Sequence, residues 1–376
     1  MKKLLIAVFL FLNILAVNAQ TSDELYQQGL KLKEDDKHEE ALQKFKDAVA
    51  KDAQNKDALY QAGWCLNEVE KYDDAVKYLQ KAKALMPDEA KVYFEIGYAY
   101  DMLEKTDDAI TYYKETLDKY SQYYSAYKNL GDIYYAKEKY EDAADNYKQY
   151  LDNETDPENK YYYKLAWCLN DLDKYSEALD YIDKYEPEAD DDKSKKYSEI
   201  GYANYKLENK DDAVSAYKTA LEYNPDYGTA LRGLGDVYYD NEDSYDKAIE
   251  NYEKAVQEDE DNSKACYYKL GWLYNDAADY DKALDILLKA IDYDDEDASA
   301  REEIGYAYYM KDDNSSAELQ LKKAVELDSK SKLGYYYLGL VYLDNGDKSK
   351  ARDMYDKLKE INEDQAAKLL EKIDAN

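Results

Sequence analysis

The chain has 376 residues and carries 84 Asp or Glu against 51 Lys or Arg, a formal net charge of −33. A field of that sign repels phosphate backbones and anionic membrane surfaces, which sets aside nucleic acid as a partner. With only 4 Pro and 13 Gly against 47 Tyr and abundant Ala, Leu, Lys and Glu, strand punctuation is scarce and the composition is that of an all-α chain.

In chain order, the first feature is an apolar run from Leu4 to Val17, preceded by Lys2 and Lys3 and followed by the small residue Ala19. This pattern predicts a cleavable signal peptide over residues 1–19, with Gln20 opening the mature chain. The run falls short of the ~20 residues a membrane-spanning helix needs, so no membrane insertion is expected after cleavage. Export to a periplasm or beyond the cell is the expectation, and sparse Arg beside abundant Lys, Asn and Tyr suggests an AT-rich bacterial genome.

Beyond the leader, small residues recur at Gly29, Gly63, Gly97, Gly131, Ala166, Gly201, Gly235, Gly271, Gly305 and Gly339, at intervals of 34, 34, 34, 35, 35, 34, 36, 34 and 34. About twelve residues after each stands an alanine, from Ala41 and Ala75 to Ala317 and Ala351. A fixed period of this length marks an array of supersecondary units that each lean on their neighbours. Within a unit the apolar residues fall three and four apart, as in Leu59, Gly63 and Leu66 and then Ala75, Leu79 and Ala82. Each unit is therefore read as two amphipathic helices, whose small residues permit close approach. Polar turns such as EKYDD separate them, and Pro87 and Pro225 fall where second helices stop.

The motif carried by Tyr127, Leu130, Gly131, Tyr134, Ala143 and Tyr147, and again by Leu231, Leu234, Gly235, Tyr238, Ala248, Tyr252 and Ala255, resembles that of the tetratricopeptide repeat. The resemblance implies a right-handed α-solenoid of about ten helix-turn-helix units over residues 20–361. Residues 362–376 resemble the extra helix that caps such arrays. The first unit departs from the pattern, with Gln28 where the family prefers Leu.

A second period overlies the first. The stretches GWCLN, AWCLN and GWLYN recur at intervals of about 104 residues, so the chain reads as a triplicated three-unit block behind one solitary unit. In proteins of this family the first helix of each unit lines a groove, and the positions three before, one after and four after the small residue point into it. Carried over, this implies a partner-binding groove of Tyr60, Trp64 and Asn67; Tyr98 and Asp101; Asp132 and Tyr135; Tyr163, Trp167 and Asn170; Tyr202 and Tyr205; Asp236 and Tyr239; Tyr268, Trp272 and Asn275; and Tyr306 and Tyr309. Lys128 with Asp132, and Arg232 with Asp236, lie four apart on a helix, a spacing that permits pairing within the turn. Rigid aromatic plates interspersed with amides and carboxylates suit an extended peptide or a sugar chain. Equally, large aromatics at helical spacing can be packing residues that meet no ligand.

Catalytic chemistry finds little foothold. The single histidine, His38, falls in the polar turn of the first unit, which removes His-based metal sites and nucleophile pairs. Cys65, Cys168 and Cys266 are odd in number and are read as buried free thiols. The expectation is thus a non-catalytic scaffold with no cofactor and no metal, binding an extended segment of an envelope or secreted protein. Its acidity favours a basic partner. The alternative is carbohydrate binding by the Trp, Tyr and Asn ladder.

Overall fold

The computed structural model describes residues 20–375, so the expected signal peptide lies outside the described residues. It divides into two compact units that meet in sequence at Asp173 and Lys174. Among the described residues all regular structure is helical, and no helix is long and apolar enough to cross a membrane.

The N-terminal unit contains α1 (Ser22–Glu34), α2 (His38–Lys51), α3 (Lys56–Glu68), α4 (Tyr72–Leu85), α5 (Ala90–Met102), α6 (Thr106–Lys119), α7 (Tyr124–Ala136), α8 (Tyr140–Asn153) and α9 (Lys160–Asp171). Consecutive helices pack as antiparallel pairs, each pair against the next. The C-terminal unit contains α10 (Tyr175–Ile182), α11 (Asp190–Lys206), α12 (Lys210–Tyr223), α13 (Gly228–Tyr239), α14 (Tyr245–Glu258), the short α15 (Glu260–Ser263), α16 (Tyr267–Asp276), α17 (Tyr280–Tyr293), α18 (Ala298–Met310), α19 (Asn314–Leu327), α20 (Lys332–Asp344), α21 (Lys348–Ile361) and α22 (Glu363–Ala375). Here α22 packs on both α20 and α21, and Leu369 is fully buried there.

Why these pairs close so tightly is visible at Gly131. A Cβ placed on it would lie 2.5 Å from the ring of Tyr147, which is fully buried in the facing helix. Gly271 stands in the same relation to Leu287, at 2.3 Å. The alanines twelve residues on, such as Ala75, Ala143 and Ala248, are fully buried on the second helices. Small residue against large side chain, aromatic or leucine, is thus the repeating element of the core.

The turn inside each pair has its own constant. Asp36, Glu70, Glu104, Glu138, Asp173, Glu208, Ala278 and Asp312 all hold φ between 56° and 62°, and Gly346 holds 79°. Each sits seven residues past its unit's small residue, the left-handed position that ends a helix and lets the chain reverse. In the unit of Gly235, which precedes the 36-residue interval, a short 3₁₀ turn (Glu242–Ser244) takes its place.

Candidate functional site

The first helices carry the positions read from the sequence as a groove, and a regular set of aromatic contacts organises them. In six units the residue after the small one is a Trp or Tyr that meets, edge-on, the first residue of the preceding second helix. His38 meets Trp64 (centroids 5.3 Å, 86°), Tyr72 meets Tyr98 (6.3 Å, 77°) and Tyr140 meets Trp167 (4.9 Å, 76°). In the C-terminal unit Tyr175 meets Tyr202 (6.0 Å, 76°), Tyr245 meets Trp272 (5.5 Å, 87°) and Tyr280 meets Tyr306 (6.0 Å, 84°). Such edge-to-face pairs are favoured by the ring quadrupoles and hold each plate in one orientation. A second neighbour touches each tryptophan: Tyr135 at Trp167 (5.4 Å), Tyr239 at Trp272 (5.6 Å), and at Trp64 the ammonium of Lys33, 3.4 Å from the ring centroid. All three tryptophans are half-buried, and Tyr202 is 37 % exposed.

Three residues expected to offer amides to the groove are instead buried, with the amide N–H of Asn67 and Asn275 committed within the chain. Asn67, Asn170 and Asn275 are 2 %, 3 % and 3 % exposed. Asn67 Nδ2 donates to the backbone carbonyl of Glu95 (3.1 Å) and to its carboxylate (2.8 Å) on the next first helix. Asn275 repeats this with Glu303, at 3.0 and 2.8 Å. The side chain is short and its position faces the adjacent helix, so the amide ties helix to helix. Longer side chains at the same position, Tyr135, Tyr205, Tyr239 and Tyr309, reach past that contact and remain half-exposed.

Asp132 and Asp236 are likewise held by their own chain. Asp132 accepts from Tyr147 (2.8 Å), Tyr161 (2.7 Å) and Lys164 (2.5 Å), and Asp236 accepts from Tyr252 (2.6 Å) and Lys269 (2.5 Å). Lys128 does not pair within its own turn but reaches Glu158, 2.7 Å away. Of the remaining positions, Tyr60 lies under Lys91 Nζ (4.9 Å to the ring centroid), Tyr163 and Tyr268 are half-buried, and Tyr309 meets Tyr337 at 5.7 Å. Burial raises the Asp101 carboxyl, with Asp132 adding to the shift.

The two carboxylates bound by the asparagines stand out electrostatically. Burial pushes Glu95 and Glu303 up to about 7, against the bond from asparagine, which favours the ionised form. Glu68 raises Glu95 further while Lys33 lowers it, and Glu302 raises Glu303. Neither glutamate was read as a groove position, although both stand two residues before the small residue of their unit, as does Glu199. The tyrosines that open the second helices were missed too. Their recurrence nine or ten residues past the small one, at Tyr72, Tyr140, Tyr175, Tyr245 and Tyr280, was the available signal.

His38 is more than a turn residue, since it opens α2 and packs on Trp64. The cysteines are unpaired and buried, as expected, and burial pushes all three thiols up to about 12. Among the described residues, no group of three or more His, Cys, Asp or Glu is placed to hold a metal ion.

Comparison with known proteins places this arrangement. Two tetratricopeptide repeat profiles match the chain, one over residues 68–124, 94–159, 128–193, 199–263 and 311–366 and the other over 32–94 and 241–302. Similar solved structures include YrrB, described as a TPR protein with an unusual peptide-binding site (25% identity, 47% of this chain and 91% of that one, TM-score 0.44). MamA is also similar (27% identity, 46% and 94%, TM-score 0.42), as is residue 41 to the end of MamA from Desulfovibrio magneticus RS-1 (21% identity, 46% and 97%, TM-score 0.42). A search of curated proteins gave no match.

Proposed function

The chain belongs to the tetratricopeptide repeat family, whose members are typically non-catalytic scaffolds for proteins and peptides, and from that premise we propose that its first-helix face binds an extended, basic segment of an envelope or secreted protein. The observation that carries this reading is the recurrence of one constellation. An indole met edge-on by the residue that opens the preceding second helix stands beside an Asn–Glu pair whose amide is buried, at Trp64, Asn67 and Glu95 and again at Trp272, Asn275 and Glu303. Rings fixed in orientation give contact area at little entropic expense, and partly buried carboxylates select positive charge. The net charge of −33 adds steering toward such a partner. Export, supported by the run from Leu4 to Val17, is part of the same proposal, and cell fractionation tests it.

The three indoles report binding directly, because the protein has no other tryptophan. Basic peptides are expected to change their emission, with affinity falling as salt rises. Neutral oligosaccharides that bind with salt-independent affinity, while peptides have no effect, would establish the carbohydrate reading instead.

A further inference from the structure

Beside Trp272 lies a cavity of about 250 Å³, where the first helices α16, α18 and α20 come together within the C-terminal unit. Its walls are the rings of Trp272, Tyr280, Tyr306 and Tyr337; Asn275 and Glu303, both almost fully buried, form its floor. Glu302, Asp276 and the 38 % exposed Leu333 complete it, so three carboxylates and no lysine or arginine are among the lining residues. The size is below that of a pocket for a drug-sized molecule and suits one side chain.

The floor asks for a donor. Asn275 commits its Nδ2 to Glu303, and its Oδ1, buried and 3 % exposed as a residue, has no hydrogen-bond partner. Asn275 Oδ1 and the ionised Glu303 carboxylate can only accept, and ring faces around them attract a cation. In the N-terminal unit an ammonium of the chain already covers the corresponding indole, while Asn67 Oδ1 is without a partner there too. There Lys33 Nζ stands 3.4 Å from the centroid of Trp64, donates to Gln61 at 3.0 Å, and acts electrostatically on Glu95, the counterpart of Glu303. At the position of Lys33, four residues past the small one in the preceding unit, the C-terminal copy has Tyr239. The indole, amide and carboxylate are kept, and the chain's own ammonium is not.

We propose that this cavity receives a lysine side chain of the bound segment, its ammonium over Trp272 and against Asn275 Oδ1 and Glu303, its methylenes along Leu333. The inference rests on the peptide-binding reading above and specifies one residue of the peptide. Lysine buries its stem and keeps a compact charged head, which matches an apolar rim over an acceptor floor.

The test uses the full chain with ¹⁵N-labelled indoles, hexalysine as the probe, and the same peptide acetylated on every Nε as control. Hexalysine is expected to shift the Trp272 resonance, the acetylated peptide to leave it in place, and Glu303→Gln to weaken binding by about tenfold. Tyr306→Leu, which removes one wall without touching the buried pair, should weaken it as well; circular dichroism verifies that both variants fold. Diffuse attraction to the net charge would leave Glu303→Gln binding as tightly as the native chain, and that result overturns the proposal. So does a shift at Trp64 or Trp167 with none at Trp272, an outcome that spares the peptide-binding reading. If no peptide of any charge moves any of the three indoles, both fail.

Discussion

Replacing Glu303 by Gln should stabilise the protein at pH 8 and leave it unchanged near pH 4. The carboxyl is 6 % exposed, and burial raises it from an ordinary value of 4.5 to about 7. A carboxyl held that far above its unfolded value binds its proton more tightly in the folded chain. Its contribution to stability is therefore complete below pH 4.5 and is lost as the pH climbs through 7. At roughly 1.4 kcal/mol for each pH interval crossed, the ionised form costs about 3 kcal/mol at pH 8. Glutamine keeps the shape and can still accept from Asn275 Nδ2, without a charge to bury. Urea unfolding of the native chain and of Glu303→Gln at pH 4, 6 and 8 isolates this one group, because self-repulsion from the net charge is nearly common to both proteins. Facing Glu303 are the Glu302 carboxyl and the phenols of Tyr239, Tyr268, Tyr306 and Tyr337, which keep their protons over this range. A gap of about 1 to 3 kcal/mol that opens between pH 4 and 8 is expected. A gap that is constant with pH, or a variant less stable than the native chain at pH 8, would refute the reasoning.

Other consequences follow from the frame. Glu104 holds φ 57° in the left-handed region; Glu104→Gly should be neutral or stabilising by up to about 1 kcal/mol and Glu104→Val destabilising by about 1 kcal/mol or more, read from thermal midpoints. Asp132→Ala removes the acceptor of two tyrosine hydroxyls and Lys164 and leaves the hydroxyl of the buried Tyr147 unmet, which should lower stability by about 2 kcal/mol in chemical unfolding. The three thiols should be inert to a disulfide reagent at pH 8 in the folded chain and all react once it is unfolded in urea, since each is at most 1 % exposed and burial holds each up to about 12.

The helical pairs were legible because a hydrophobic stripe and a small residue returning every 34 to 36 positions leave few other ways to bury the core. The changes of spacing were legible only as irregularities. The structure explains one of them through the 3₁₀ turn at Glu242–Ser244. Side-chain reach was harder to read. Offsets on a helix give direction, so Asn67, Asn170 and Asn275 shared a position with Tyr135 and Tyr239, but only the longer tyrosines clear the neighbouring helix. Spacing also suggested that Lys128 would meet Asp132. Across the helix pair, however, Tyr147, Tyr161 and Lys164 converge on that aspartate, and Lys128 finds Glu158 instead. Glu95 and Glu303 were hidden among 84 acidic residues, since their distinction is burial, which charge counting does not reveal.

The most direct test is whether a lysine of a bound peptide meets the ring of Trp272. Intermolecular nuclear Overhauser effects between the ε-methylene protons of hexalysine and the aromatic protons of the full chain measure this contact. Cross-peaks to the Trp272 indole and to the Tyr306 and Tyr337 rings, lost in Glu303→Gln, are the result expected. Saturating peptide that gives cross-peaks only elsewhere, or none to any aromatic ring, would contradict it.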